Sequence, residues 1–337
     1  MLLQAGTKLH KIMVKGRDIL HHAIDRGCNL KTVEILLQRG ARIRSMKTAL
    51  NRAAASSSAD SLKIVQLLLQ NGASFTEEQG ELTLLESCLP IREGGVEEPE
   101  RARRLQLFSV LLDNGAHVND LQPPVPVIGG WSPLLTRLLE YDAADELIYR
   151  IIEAGANINV FGRILENLYY QPPLQVAARK GRLNIVHRLV DRGANINAEP
   201  GLYSDTALQA ACNPDPGHEI DLNLIQFLID NGANINAPAT RGFGATALKY
   251  TIMRGSMAAF CLLLDRGADI HGTNNHGSVL DTAAEYGRLD MVDILLKKGA
   301  ESYRQIGTPY MGAIEAAMKG KHFAIAKMLR EFPGRDR

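Results

Sequence analysis

The stretch "PPLQVAARKGRLNIVHRLVDRGANIN", Pro172 to Asn197, reads as two short helices and an exit turn. Pro172 and Pro173 suit a helix opening, where the first backbone N–H groups have no intrahelical acceptor to lose. Leu174, Ala177 and Ala178 form one apolar stripe at helical spacing, and the first helix ends near Gly181. Leu183, Ile185, Val186, Leu189 and Val190 form a wider apolar face, with Asn184, His187, Arg188, Asp191 and Arg192 opposite. Gly193 ends the second helix, since glycine enters the left-handed region without a Cβ clash, and "ANIN" leaves as an extended turn. Two such helices cannot bury both apolar faces against each other, so the unit has to stack on a neighbour.

Neighbours are present on both sides. The second-helix ending recurs as "LLQAGT", "LLQRGA", "LLQNGA", "LLDNGA", "IIEAGA", "LVDRGA", "LIDNGA", "LLDRGA" and "LLKKGA". Its glycines are Gly6, Gly40, Gly72, Gly115, Gly155, Gly193, Gly232, Gly267 and Gly299, spaced 32 to 43 residues apart. Self-similarity at that period is the mark of a solenoid built from one supersecondary unit. First-helix openings recur with it: "DILHHA" at Asp18, "TALNRA" at Thr48, "TLLESC" at Thr83, "SPLLTR" at Ser132, "PPLQVA" at Pro172, "TALQAA" at Thr206, "TALKYT" at Thr246 and "SVLDTA" at Ser278. A degenerate "MGAIEA" starts at Met311.

These openings resemble the Thr-Pro-Leu-His-x-Ala pattern of ankyrin-repeat proteins. The exits "GANIN" at Gly155, Gly193 and Gly232, "GAHVN" at Gly115 and "GADIH" at Gly267 resemble that family's Gly-Ala-Asp/Asn-Val/Ile-Asn. The resemblance covers nearly the whole chain. It implies an all-α, ankyrin-type α-solenoid of stacked helix pairs with projecting finger loops, a single domain over 1–337. Its repeats end near 40, 72, 115, 155, 193, 232, 267 and 299, with a partial repeat over 1–10 and a degenerate capping repeat over 300–337. The family's histidine in the opening survives only as His21; elsewhere the place is taken by Asn51, Glu86, Leu135, Gln175, Gln209, Lys249 and Asp281. That implies a patchy hydrogen-bond network between repeats and moderate stability. The resemblance also sets Asn119, Asn159, Asn197 and Asn236 at positions like those an asparaginyl hydroxylase modifies in some animal arrays.

Against the usual repeat length, extra residues stand between helices at Pro90–Glu100 and Asn213–Asp221, and in the fingers at Leu121–Trp131 and Val160–Gln171. Aromatic residues concentrate in the finger segments, and Trp131, Tyr169, Tyr170, Tyr203 and Phe243 are the first candidates for partner contact. The alternative is that these rings anchor their own loops. A second candidate row is the end of each first helix, with Arg179, Lys180, Met253, Arg254 and Tyr286; the plainer reading is solvated surface.

"RGFGATAL" at Arg241 lacks the third glycine of a dinucleotide fingerprint, and no glycine follows Ser132 where a nucleophile elbow needs one. There is no phosphate loop, His-Glu-x-x-His or Cys-x-x-Cys. Adjacent His21 and His22 diverge on a helix, and Cys212 and Cys261 read as packing residues. The expectation is therefore no catalytic residue, no metal and no cofactor.

A net charge of +1 offers no basic excess for nucleic acid, and "RARR" at Arg101 is offset by the preceding "EGGVEEPE". No apolar run is long enough to span a bilayer, no Asn-x-Ser/Thr acceptor occurs, and four scattered cysteines fit a reducing compartment, cytoplasmic or nuclear. The function implied is a non-catalytic scaffold or adaptor that binds another protein along the concave face and finger tips. Two alternatives stay open: the substrate-reading segment of a larger signalling, channel or ubiquitin-ligase protein, or an enzyme with a pocket in the enlarged middle repeats. Because "MLLQAGTKLH" reads as the last turn of a second helix, apolar surface is expected around Ile19, Ile35 and Leu36, frayed or covered by a missing domain or partner chain.

Overall fold

The computed structural model describes residues 13–14, 17–41, 46–56, 58–73, 85, 88, 98–119, 133–160, 171–200, 204–239, 244–272, 277–301 and 311–332. The chain divides into two compact units: Met1–Val125 with Glu153–Ala156, and Pro126–Ile152 with Asn157–Arg337. Among the described residues, helix pairs build the second unit, and two helix pairs with one further helix build the first.

The first unit opens with a short hairpin, β1 (Met13–Val14) against β2 (Arg17–Asp18), antiparallel with Met13 opposite Asp18. It feeds α1 (Ile19–Asp25), followed by α2 (Leu30–Gln38), α3 (Met46–Ala55), α4 (Ser61–Gln70) and α5 (Glu98–Asp113). First helices α1 and α3 pack together, and α2, α4 and α5 form the second row. Asn29 caps α2 by accepting from the Thr32 amide at 3.0 Å. His21 is buried in α1. The expected exposed end needs correction: Leu36 is only 6% exposed, since α2 turns it into the core, while Ile19 and Ile35 are half-buried. The partial repeat over 1–10 lies outside the described residues.

The second unit runs α6 (Leu134–Glu140), α7 (Asp145–Glu153), α8 (Pro173–Arg179), α9 (Leu183–Asp191), α10 (Ala207–Cys212), α11 (Leu222–Asp230), α12 (Ala247–Arg254), α13 (Met257–Asp265), α14 (Val279–Glu285), α15 (Leu289–Lys297), α16 (Met311–Lys319) and α17 (Phe323–Glu331). First helices α6, α8, α10, α12, α14 and α16 pack in sequence order; α9, α11 and α13 make a second row beside them. Small buried residues such as Ala177, Ala178, Ala210, Ala211, Ala283 and Ala284 let the first helices approach closely, while Ile185, Val186, Leu189, Leu224, Ile225 and Leu228 fill the layer between rows. Thr206 with Gln209 and Ser278 with Asp281 form reciprocal capping boxes at α10 and α14.

Side chains carry hydrogen bonds from repeat to repeat. Asn159 Nδ2 donates to the Gly193 carbonyl at 3.1 Å while its Oδ1 accepts from the Asn195 amide at 2.9 Å. Asn197 does the same with Gly232 and Asn234, and Asn236 with Gly267 and Asp269. In the first unit Asn119 donates to Gly155 at 2.9 Å. These asparagine amides are bridges between successive fingers.

The network expected to be patchy at the family's histidine position is so: among the described residues the buried Thr136 hydroxyl has no hydrogen-bond partner and Asp281 serves its own helix cap, while three donors reach the next finger. Gln175 Nε2 reaches the Ala198 carbonyl at 3.0 Å, Gln209 Nε2 reaches Ala237 and Pro238 at 3.1 and 3.0 Å, and Lys249 Nζ reaches Gly277 at 2.5 Å. Three consecutive repeats therefore satisfy the following finger's carbonyls with whichever donor they carry. The register at "SPLLTR" also shifts: Pro133 is the N-cap of α6, as Pro172 is of α8, so Thr136 and not Leu135 occupies the equivalent place. A second proline-led opening allowed either reading in the sequence.

Lys249 is fully buried, with a 0% exposed residue surface, and burial pushes its ammonium down from 10.5 to about 8 although Asp281 stabilises the charge. Between these values the unfolded lysine keeps a proton that the folded one has lost, so this group makes stability rise with pH. Cys212 and Tyr250, pushed up by burial, act in the opposite direction, so the lysine's part is read as a difference. Urea titrations at pH 7.5 and 10 are expected to show wild type gaining about 2–3 kcal/mol relative to Lys249→Gln over that interval. Parallel pH profiles for the two proteins would contradict the assignment.

Candidate protein-binding edge

Each helix pair of the second unit turns at one left-handed residue: Asp142, Gly181, Gly255, Gly287 or Lys321, with φ of 52°, 65°, 74°, 70° and 64°. Gly217 is the counterpart within the longer Asn213–Asp221 connection, at φ 91°. The second helix then starts within three residues of each of the five tight turns. The last residues of the first helix and the first residue of the second thus share one edge of the unit.

Charged residues on this edge are held by neighbouring repeats. Arg179, at the end of α8, donates to both Glu140 oxygens at 2.9 and 2.8 Å, to Asp215 at 2.5 Å and to Gln171 at 3.2 Å. Burial opposes its charge, but Glu140 and Asp215 raise its pKa all the same. Lys180 meets Asp142 at 3.0 Å and Asp215 at 3.6 Å. Arg254, at the end of α12, donates to Asn213 Oδ1 at 2.7 Å and to the Pro214 carbonyl at 2.6 Å. Arg182 donates to the Ala143 carbonyl at 2.6 Å, and Arg288 to those of Ile252 and Met253 at 3.0 Å each. Ile252 and Met253 lie in the last turn of α12, where carbonyls lack their usual intrahelical donors, and Arg288 donates to both; Arg182 and Arg254 do the same for carbonyls of the connections.

The Asn213–Asp221 insertion is consequently clamped from both sides. Its Asp215 amide also donates to the Arg179 carbonyl, and the His218 amide closes a turn on Asp215 at 3.1 Å. Beneath it the Tyr250 hydroxyl donates to Asp205 at 2.9 Å. Burial raises the Asp205 pKa against the opposing hydrogen bonds from Tyr250 and Asn213 and the charge of Arg179. The Tyr250 phenol is pushed up by burial and by Asp205, and the Cys212 thiol by complete burial. Neither group is poised to deprotonate near neutrality, so the cluster acts as a clamp.

Large exposed apolar residues show a common placement. Tyr141, Leu222, Tyr286, Leu289, Met318 and Phe323 are 38 to 62% exposed. Tyr141 and Tyr286 directly follow α6 and α14, Met318 lies in the last turn of α16, and Leu222, Leu289 and Phe323 begin second helices. All six stand at the helix-to-helix junction. Of the residues expected from the sequence, Tyr286 belongs to this set, while Met253 is half-buried and Arg179, Lys180 and Arg254 are tied into the clamp. Trp131, Tyr169, Tyr170, Tyr203 and Phe243 lie outside the described residues. Tyr141, Leu222, Leu289 and Phe323 were missed; the available signal was an apolar residue flanking each turn.

In the first unit a cavity of about 470 Å³ lies between α4 and α5, lined by Leu62, Gln66, Leu105, Gln106, Ser109 and Val110. None of these side chains is an acid, a base or a strong nucleophile. Among the described residues, no three His, Cys, Asp or Glu side chains are grouped to hold a metal ion, and no helix is long and apolar enough to cross a membrane.

The paired helices and bridged fingers define a stacked helix-pair repeat protein. The family model for ankyrin repeats (three copies) matches residues 1–79, 135–239 and 217–306, and the chain belongs to the ankyrin-repeat family. Ankyrin repeats are in general protein–protein interaction modules, typically without catalytic activity. A comparison with curated proteins gives no match.

Removing the Arg179 guanidinium is expected to release the insertion locally. In Arg179→Met, hydrogen–deuterium exchange should accelerate at least fivefold around His218 while the helices keep their protection. Unchanged exchange would show that the backbone bonds alone hold the insertion.

Proposed function

We propose that this protein is a non-catalytic scaffold that binds another protein along the helix-to-helix edge of its second unit. The observation that carries the reading is that all six large exposed apolar residues named above share that edge, while its arginines are engaged in joining repeats. Apolar and aromatic side chains surrounded by satisfied polar groups suit a desolvated contact. Stacking already orders the backbone, so a partner meets a preorganised surface and little ordering entropy opposes binding. The aromatic fingers at Trp131, Tyr169, Tyr170, Tyr203 and Phe243 extend the proposal to a second contact region. Four free cysteines support a reducing compartment, the cytoplasm or nucleus.

The test compares tagged full-length wild type with a Tyr141→Ser, Tyr286→Ser, Phe323→Ser variant by quantitative affinity mass spectrometry. A Trp131→Ala, Tyr170→Ala variant addresses the fingers. The edge variant is expected to keep its melting transition and lose at least fivefold of its reproducible partners. Equal recovery from wild type and the edge variant, with loss only in the finger variant, would move the binding surface to the fingers.

A further inference from the structure

The junctions of the last two helix pairs form the most apolar part of this edge. Tyr286 and Leu289 flank one turn, and Met318 and Phe323 flank the next. The turns abut: a Cβ on Gly287 or Gly320 would collide with the His322 imidazole, and one on Gly320 also with the Glu285 carbonyl. Phe323, 62% exposed, is the most exposed large apolar residue described. Within the capping repeat expected over 300–337, the last helix pair presents both Met318 and Phe323 here.

The backbone of the final turn departs from its relatives. The equivalent left-handed residue is glycine at 181, 255 and 287, and at 142 it is aspartate, whose short polar side chain tolerates the conformation. In the final turn it is Lys321 at φ 64°, although glycine stands one place earlier at 320. A lysine gains nothing locally from that conformation. Departures of this kind concentrate where a side chain is needed for contact. Lys319 and Glu285 pair at 2.7 Å, and Lys327 and Glu331 at 3.9 Å, but Lys321 has no such partner among the described residues. On α16, α17 and their turn, Lys319, Lys321, Lys327 and Arg330 outnumber Glu315 and Glu331. Asp290 stands in the first turn of α15, where the helix dipole favours it.

We propose that this junction docks a short acidic segment of another protein that carries a bulky apolar residue. Tyr286, Leu289, Met318 and Phe323 receive the apolar side chain, and Lys321 receives a carboxylate beside it. The inference rests on the edge reading above and narrows it to one partner chemistry. An anionic membrane is recognised by clusters of four or more basic residues, whereas two of the four on this helix pair, Lys319 and Lys327, are paired with Glu285 and Glu331.

The experiment selects a phage-displayed random dodecapeptide library on the full chain and measures the recovered peptides by fluorescence polarisation. Acidic peptides containing Phe, Trp, Leu or Met should be enriched, with affinity falling as NaCl increases. Lys321→Gly and Phe323→Ala should each weaken binding at least fivefold, while Lys321→Gly raises the melting temperature by relieving the left-handed lysine. That combination separates a contact role from a structural one. Neutral or basic peptides, no enrichment, or equal affinity in both variants would overturn the proposal. So would Phe323-dependent binding to phosphatidylserine vesicles without peptide binding, or Phe323-dependent dimerisation in sedimentation. Loss of partners from the edge variant with no acidic peptide recovered would leave the edge reading standing and remove only this inference.

Discussion

The constraint on which the second unit depends is that backbone carbonyls at finger and helix ends must find donors in the neighbouring repeat. A pair of seven- to nine-residue helices such as α8 and α9 is too short to hold its apolar faces alone. Stacking buries those faces and also removes terminal carbonyls from water, where an unmet acceptor is costly. Asn159, Asn197 and Asn236 answer this at the fingers, Gln175, Gln209 and Lys249 at the first-helix openings, and Arg182, Arg254 and Arg288 at the opposite edge. Tolerance at one site follows from the same logic. An amide or an ammonium serves at the histidine position, provided it reaches the following finger; the ammonium carries the cost of burying charge, visible in the lowered pKa of Lys249.

This constraint decides which polar residues are available for a partner. Arg179 and Arg254 look like solvent-facing charges in the sequence, yet each has several acceptors within its own unit. Withdrawing them would leave Glu140 without its cation, Asp215 with only the longer contact to Lys180, and the insertion without its clamp. What remains at the edge is the apolar set from Tyr141 to Phe323. Specificity by charge is then concentrated in the few residues, such as Lys321, that the repeat-to-repeat bonds do not use.

The fold was legible because its signals are local and repeated. A glycine following two helical turns and an apolar face at a period near 3.6 are properties of a single segment, so reading "LLDRGA" at Leu263 needs no knowledge of the neighbours. Thr206 and Ser278 could be read as helix starts for the same reason. The candidate site was less legible, because exposure is a property of neighbours. Leu183 and Leu289 both open a second helix after Gly-Arg; Leu183 is half-buried and Leu289 is 46% exposed. Which members of the network would close was not legible, because a side chain at the family's histidine position serves by its reach and its donor rather than by its identity, as Gln175, Gln209 and Lys249 do and Thr136 does not. Leu135 was placed one residue out because Pro133 can stand either inside a helix or before it.

A repeated architecture also alters what counts as a signal of function. In a single-copy fold, a lysine at positive φ has no internal reference. Here the same turn occurs several times in one chain, so Gly181, Gly255 and Gly287 show what the backbone prefers when nothing else is required. Arg182 and Arg288 likewise show what the next place does when its task is cohesion: each reaches carbonyls of the preceding repeat. Where His322 takes that place, its imidazole packs against Gly287 and Gly320, so the final turn is still seated on its neighbour. Cohesion is thus accounted for at position 322, and the lysine at 321 and the phenylalanine at 323 are left over as the parts of the turn that stacking does not explain.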